Sequence, residues 1–144
     1  MSEFHFIESE GEPDAKDFKV LSKGMLVHHA QNGHPRRSEK YSIFLKDKNE
    51  KILGGVIVTF LWNGMEINSL WVDESIRRQG WGTKLVEKIE VEGAKRGCII
   101  SYTNTFPWQA PQFYEKLGYK IYGKLDNFPK GESLIYFSKQ LKKG

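Results

Sequence analysis

Arg77-Arg78-Gln79-Gly80-Trp81-Gly82-Thr83 sets two guanidinium groups and two glycines directly ahead of an amphipathic run. A helix that starts there leaves its first N–H groups without internal partners, and its N-terminal end is positive. The glycines let the backbone come close to a bound group, and Arg77 and Arg78 add fixed positive charge. The chemistry these residues suit is anion binding, with a pyrophosphate as the natural guest. Other site chemistries lack their residues. Gly80-Trp81-Gly82 has no third glycine and is no dinucleotide fingerprint. Lys84 follows Gly82-Thr83, so the Gly-Lys-Ser/Thr order of a P-loop is missing, and no G-x-S-x-G occurs. His5, His28, His29 and His34 show no metal spacing, and no metal is assigned. Cys98 opens an apolar run and reads as a buried packing residue.

The elements that position the cradle follow from periodicity. Met65 to Val72 reads as a strand delivering the chain into the Arg77 turn. It is paired antiparallel with an apolar strand, Lys51 to Leu61, through the hairpin signal Asn63-Gly64. The continuous apolar character of Lys51 to Leu61 predicts a strand covered on both faces. Thr83 to Arg96 is the helix, with Leu85, Val86, Ile89 and Gly93 on one face and Gly97 as its stop. Cys98 to Tyr102 follows as a short buried strand, parallel to Met65–Val72 because a helix separates them. Upstream, Glu3 to Glu8 alternates and predicts a half-buried first strand. Asp14 to Gln31 has helical spacing interrupted by Gly24, which predicts two short helices or one bent helix. Lys40 to Leu45 alternates as a strand. Downstream, Asn104 to Pro111 reads as a loop and Pro111 to Gly118 as a short helix with Phe113 and Leu117 on its buried face and Tyr114 rotated off it. Tyr119–Leu125 and Glu132–Leu141 complete the chain as strands.

Arg77-x-x-Gly80-x-Gly82, between a strand and a helix, resembles the acyl-CoA signature of the GNAT family of N-acetyltransferases. Phe113-Tyr114-Glu115-Lys116-Leu117-Gly118-Tyr119 resembles that family's fourth helix and is the more specific of the two motifs. The resemblance covers nearly the whole chain and is strongest from Leu70 onward. It implies an α/β (α+β) fold with a mixed, mainly antiparallel sheet of about six or seven strands flanked by about four helices, splayed between the Met65–Val72 and Cys98–Tyr102 strands. It also implies direct acetyl transfer from acetyl-CoA to a primary amine. Arg77 to Thr83 would hold the pyrophosphate, and the backbone of Leu70, Trp71 and Val72, side chains otherwise ordinary core, would bond the pantetheine arm. Phe113 belongs to the same site. Asn104 and Gln109 either bond the pantetheine or the acceptor, or cap the loop. Lys116 either meets the CoA 3′-phosphate or is a solvated helix lysine. Tyr114 would be the general acid near the sulfur; its ordinary reading is an amphipathic helix residue with its tip in water. Glu66, eleven residues ahead of Arg77, would be the base at the spacing of the histone-acetylating members; its ordinary reading is a solvent-facing strand charge, with water as base. Residues His28 to Arg37 would help select the acceptor.

Length and composition suit one domain over residues 1–144 with 39% hydrophobic and 28% charged residues. A single cysteine, a polar N-terminus and no membrane-length apolar run predict a cytoplasmic protein without disulfides, signal peptide or membrane partner. The net charge of +4 is scattered, which argues against nucleic acid as a partner. Trp62, Phe106, Trp108 and Phe128 suggest a compact or cationic small-molecule acceptor, since ring faces attract cations. A peptide amine, a non-catalytic acyl-CoA-binding domain and a nucleic-acid-binding module remain as alternatives, and edge strands make a homodimer plausible.

Overall fold

The structure, a computed structural model, describes residues 3–141; Met1, Ser2 and the Lys142-Lys143-Gly144 tail, with its adjacent lysine pair, lie outside the described residues. The chain divides into two units, residues 1–36 and 37–144.

In the first unit residues 3–13 form neither strand nor helix and are exposed. The expected first strand at Glu3–Glu8 is therefore corrected: alternation suits a strand, but a strand exists only with a ladder partner. Helix α1 spans Ala15–Gln31. Asp14 caps it by accepting from the N–H groups of Lys16 and Asp17 at 2.9 and 3.3 Å. Pro13 precedes the cap. Gly24 neither divides nor ends α1. One interior glycine costs about 1 kcal/mol, and capping at both ends offsets it, with Asn32 Nδ2 donating to the His28 carbonyl at 2.9 Å.

The second unit is a six-stranded sheet of order β1-β2-β3-β4-β6-β5. Its strands are β1 (Ser38–Lys46), β2 (Ile52–Leu61), β3 (Gly64–Val72), β4 (Ile100–Thr105), β5 (Lys120–Asp126) and β6 (Ser133–Gln140). All neighbours are antiparallel except β3 and β4. Helix α2 (Trp81–Lys95) makes the crossover between those two, and α3 (Pro111–Lys116) follows β4. Among the described residues there are three α-helices against the expected four, because the Asp14–Gln31 region is one helix.

The core lies between α2 and one face of the sheet. Val56, Val58 and Phe60 of β2, Met65 and Ile67 of β3 and Phe137 of β6 meet Leu85, Val86 and Ile89 of α2. The face expected for α2 is the face it buries. On β2 only alternate residues are fully buried and their neighbours are half-buried, so the expectation of cover on both faces is corrected. The hairpin forms, but its centre is Trp62-Asn63, with Leu61 opposite Gly64. Trp62 takes the positive φ of 51° that Gly64 would have accepted at no cost. Register decides this: Val58 and Ile67 must share the core face, and a one-residue slip would expose both. The strand expected at Cys98–Tyr102 runs instead from Ile100 to Thr105. Cys98 is buried before it, with its thiol donating to the Gly64 carbonyl at 3.4 Å.

A polar network ties α2 to β4, β6 and the chain after α3. Lys139 donates to Glu90 Oε1 at 2.9 Å and the Tyr119 hydroxyl donates to Glu90 Oε2 at 2.8 Å. The single phenol proton is thereby used, so Ser101 donates to the Tyr119 oxygen, 2.8 Å away. Burial pushes the Tyr119 phenol well above its ordinary range, and the Glu90 carboxylate adds to this.

Candidate active site

Gly80 precedes α2 with φ +86° and no side chain caps the helix, so its first-turn N–H groups are left for a bound anion. Arg78, with φ +63°, holds the left-handed backbone that costs a non-glycine residue energy and gathers at binding sites. Arg77 is anchored: its Nε donates to the Val72 carbonyl at 2.9 Å, folding the turn back onto the end of β3. Asp73 braces the same turn by accepting from the Ser75 N–H and hydroxyl, and those two bonds hold its carboxyl below the ordinary value.

The cradle opens into a cleft of about 620 Å³ walled by Leu70, Trp71, Val72, Arg77, Arg78, Gly80, Trp81, Gly82, Thr83, Gln109 and Phe113, together with Ile76, Trp108 and Ala110. A second cavity of about 260 Å³ shares Leu70, Trp71, Gln109 and Phe113 with it and continues to Asn104 and Tyr114. The second cavity exists because β3 and β4 separate. They pair only from Gly64–Glu66 against Ile100–Tyr102. Beyond this the β4-facing edge of β3 has no ladder partner, and its backbone groups are available to an extended guest. A β-bulge starts the divergence: Ile57 faces Ser69 but Val58 faces Ile67, leaving Asn68 as the extra residue. Thr103 bridges the opening by donating to the Ile67 carbonyl at 2.9 Å.

Tyr114 is 6% exposed, the most buried residue of α3, which corrects the expectation that it turns away from the buried face. A helix this short, lying across β4 and β6, presents Tyr114 squarely to the sheet and only half-buries Phe113 and Leu117. Its ring meets Phe113, Tyr119 and Phe137 at centroid distances of 5.1, 5.5 and 5.8 Å. Burial pushes the phenol up, while a side-chain hydrogen bond with Thr103 opposes that. The phenol is thus a protonated group at the wall of the second cavity at neutral pH.

Glu66 lies on the sheet face opposite to Met65 and Ile67, and so away from α2. It is half-buried and accepts from Asn68 Nδ2 at 3.2 Å. The same face carries Tyr122 and Tyr136, whose rings are 5.9 Å apart. Burial, Tyr136 and the Glu66 carboxylate raise the Tyr122 phenol. Near the cleft Phe106 and Trp108 stack at 4.7 Å with planes 1° apart, and Phe128 stands 5.9 Å from Phe106.

Most of the residues singled out by sequence are brought together here. Gln79, Lys116 and Glu66 do not line either cavity. Trp71 is 49% exposed, so its expected place in the core is corrected: it lines both cavities. Asn104 belongs to β4, opposite Tyr136, and not to a loop. Gln109 both lines the cavities and caps its turn, accepting from the Phe106 N–H at 2.9 Å. Sequence reasoning missed Asn68 and Thr103. The alternation Ser101-x-Thr103-x-Thr105 was the available signal for Thr103, since all three hydroxyl residues face the core side and are buried. No pattern announces the bulge at Asn68.

The family model for GNAT acetyltransferases matches residues 6–119. Blasticidin-S acetyltransferase of Streptomyces morookaense is 29% identical over 107 residues, 74% of this chain and 79% of the relative. The crystal structure of an acetyltransferase from Bacillus cereus superposes with a TM-score of 0.82 at 31% identity, covering 93% of this chain and 98% of that one. An aminoglycoside 6′-N-acetyltransferase complexed with coenzyme A superposes with a TM-score of 0.66 at 26% identity, covering 72% and 74% of the two chains. An uncapped helix start behind Arg77-x-x-Gly80-x-Gly82, a sheet splayed beside it and a match along most of the sequence converge on one conclusion: the chain belongs to the GNAT acetyltransferase family and is an acyltransferase enzyme.

Proposed function

We propose that the enzyme transfers an acetyl group from acetyl-CoA directly to a primary amine of a small molecule, and that residues 1–144 act as one N-acetyltransferase domain. The observation that carries this reading is the continuity of the anion cradle, the splayed edge of β3 and the Tyr114 wall through shared residues. The donor set suits a CoA thioester. Uncapped N–H groups of α2 with Arg77 and Arg78 match a pyrophosphate, and the unpaired edge at Leu70–Val72 matches an amide-bearing arm, with Asn104 and Gln109 at its sides. Bound there, acetyl-CoA supplies the activated acyl carbon.

The protein's part is proton handling. A C–N bond forms as the C–S bond breaks. The proton that the amine releases goes to Glu66, directly or through water, and the departing sulfur takes a proton or hydrogen bond from Tyr114. The buried Cys98 thiol, its proton held more tightly by burial, supplies no nucleophile, which supports direct transfer. Glu66 with Tyr122 and Tyr136 suits an acceptor that arrives as an ammonium ion. The relatives named for blasticidin S and aminoglycosides favour a small polar amine over a peptide. We assign the enzyme to the cytoplasm, where acetyl-CoA is available; among the described residues no helix is long and apolar enough to cross a membrane.

Calorimetric titration with acetyl-CoA, followed by thiol-release assays over a panel holding a diamine, an aminoglycoside, blasticidin S and a short peptide, tests the proposal. Saturable binding and turnover with a small amine support it. Binding without turnover points to an acyl-CoA-binding domain, and no binding overturns the reading.

A further inference from the structure

We propose that Asn68 is a positioning residue that holds the Glu66 carboxylate, at the end of a directional hydrogen-bond chain that starts at Lys40; the inference rests on the reading of Glu66 as the base. The chain crosses three strands on the sheet face away from α2. Lys40 Nζ of β1 donates to Thr59 Oγ1 of β2 at 3.1 Å. Thr59 Oγ1 donates to Asn68 Oδ1 of β3 at 2.7 Å. Asn68 Nδ2 donates to Glu66 Oε1 at 3.2 Å.

Its direction follows from valence. An ammonium group only donates, so Thr59 accepts from Lys40 and its single proton goes on to Asn68. That fixes the Asn68 amide with its oxygen toward Thr59 and its NH₂ toward Glu66. The flipped amide would set oxygen against carboxylate. One oxygen of Glu66 is thereby committed and its rotation restricted, which leaves the second oxygen to meet the acceptor's proton.

Fold stability does not account for this arrangement. All members of the chain are half-buried or exposed, where such bonds contribute little, and β3 is already held by its ladder with β2. The bulge gives the chain its place. Asn68 is the one residue of β3 in this stretch without a partner across the ladder, and it also lines the cavity shared by Thr103 and Tyr114. It therefore links the proposed base to the cavity that the proposed acid also lines, and the amine meets a carboxylate already oriented.

Two measurements test this. The first uses no acceptor: in ¹⁵N-edited spectra the Asn68 side-chain amide signal is expected to shift in Glu66→Gln and in Thr59→Val. The second is steady-state kinetics with the panel amine of highest turnover. Asn68→Ala is expected to lower kcat by about 10- to 100-fold, with the acetyl-CoA dissociation constant and melting temperature unchanged, and to cost nothing further in a Glu66→Gln background. An amide signal indifferent to both substitutions overturns the proposal. So does full kcat in Asn68→Ala where Glu66→Gln has lost it, or losses that add in the double variant. Full activity in Glu66→Gln overturns the base assignment itself, a result distinct from the other two.

Discussion

A Cβ on Gly82 would stand 3.3 Å from Cε1 of Phe113. The first turn of α2 and the ring of α3 therefore meet so closely that a Cβ would press the ring aside by a few tenths of an ångström, and both residues line the larger cleft. A side chain at position 82 would move Phe113 or enter the cleft. Gly82→Ala is expected to weaken acetyl-CoA binding by about tenfold, equivalent to about 1.4 kcal/mol, and Gly82→Trp to abolish it. Phe113→Leu added to Gly82→Ala should recover part of the loss. Calorimetry on the three variants checks this, and undiminished binding in Gly82→Trp would remove the cradle from the site.

The cradle was legible because its chemistry is local. Arg77, Gly80, Gly82 and the start of α2 lie within a few residues, and a helix start has the same orphan N–H groups in any fold. Alternation and helical period likewise placed β2, β3 and the buried face of α2. What the sequence hid were relations across strands. The bulge at Asn68 is a two-against-one mismatch with Ile57 and Val58, visible only once β2 and β3 are paired. Tyr114 looked peripheral because Phe113 and Leu117 are the more apolar pair, yet the facing surface of β4 and β6 decides which side of so short a helix is buried. Glu3–Glu8 shows the converse, a good strand pattern in a segment that forms no strand.

Tyr114 has a hydroxyl whose removal leaves the packing of its ring intact. Tyr114→Phe keeps the contacts with Tyr119 and Phe137 and deletes only the proton donor. The expected outcome is a fall in kcat of about 100-fold, with acetyl-CoA affinity unchanged. Single-turnover measurement of thiol release checks it. A kcat within twofold of wild type would assign the leaving-group proton to water.

Glu90 holds two donors from different elements, Lys139 of β6 and Tyr119 after α3, and its side chain is only 14% exposed. Glu90→Ala leaves a largely buried ammonium and a phenol without their acceptor. The expected cost is about 2 kcal/mol, read as a lower urea midpoint at unchanged slope. Lys139→Met in the same background should recover part of it, because the unpaired charge is then gone. Equal stability of wild type and Glu90→Ala would show the network to be dispensable.

The buried phenols are expected to weaken the fold at alkaline pH. Tyr119 and Tyr114 are both raised above the ordinary value of 10.0, burial being the largest cause in each. Below that value both folded and unfolded chains keep these protons, and the stability is fully present. Above it the unfolded chain releases them while the folded chain does not. The unfolded state then binds fewer protons, and stability falls as pH rises, by about 1.4 kcal/mol per pH unit for each such group. Urea midpoints taken from neutral pH into the alkaline range should stay level and then decline beyond about pH 10. Tyr119→Phe should start lower at neutral pH, since Ser101 and Glu90 lose a partner, and then decline less steeply. Parallel alkaline declines in the two proteins would mean that Tyr119 titrates alike in both states, and that the burial seen around it does not hold its proton.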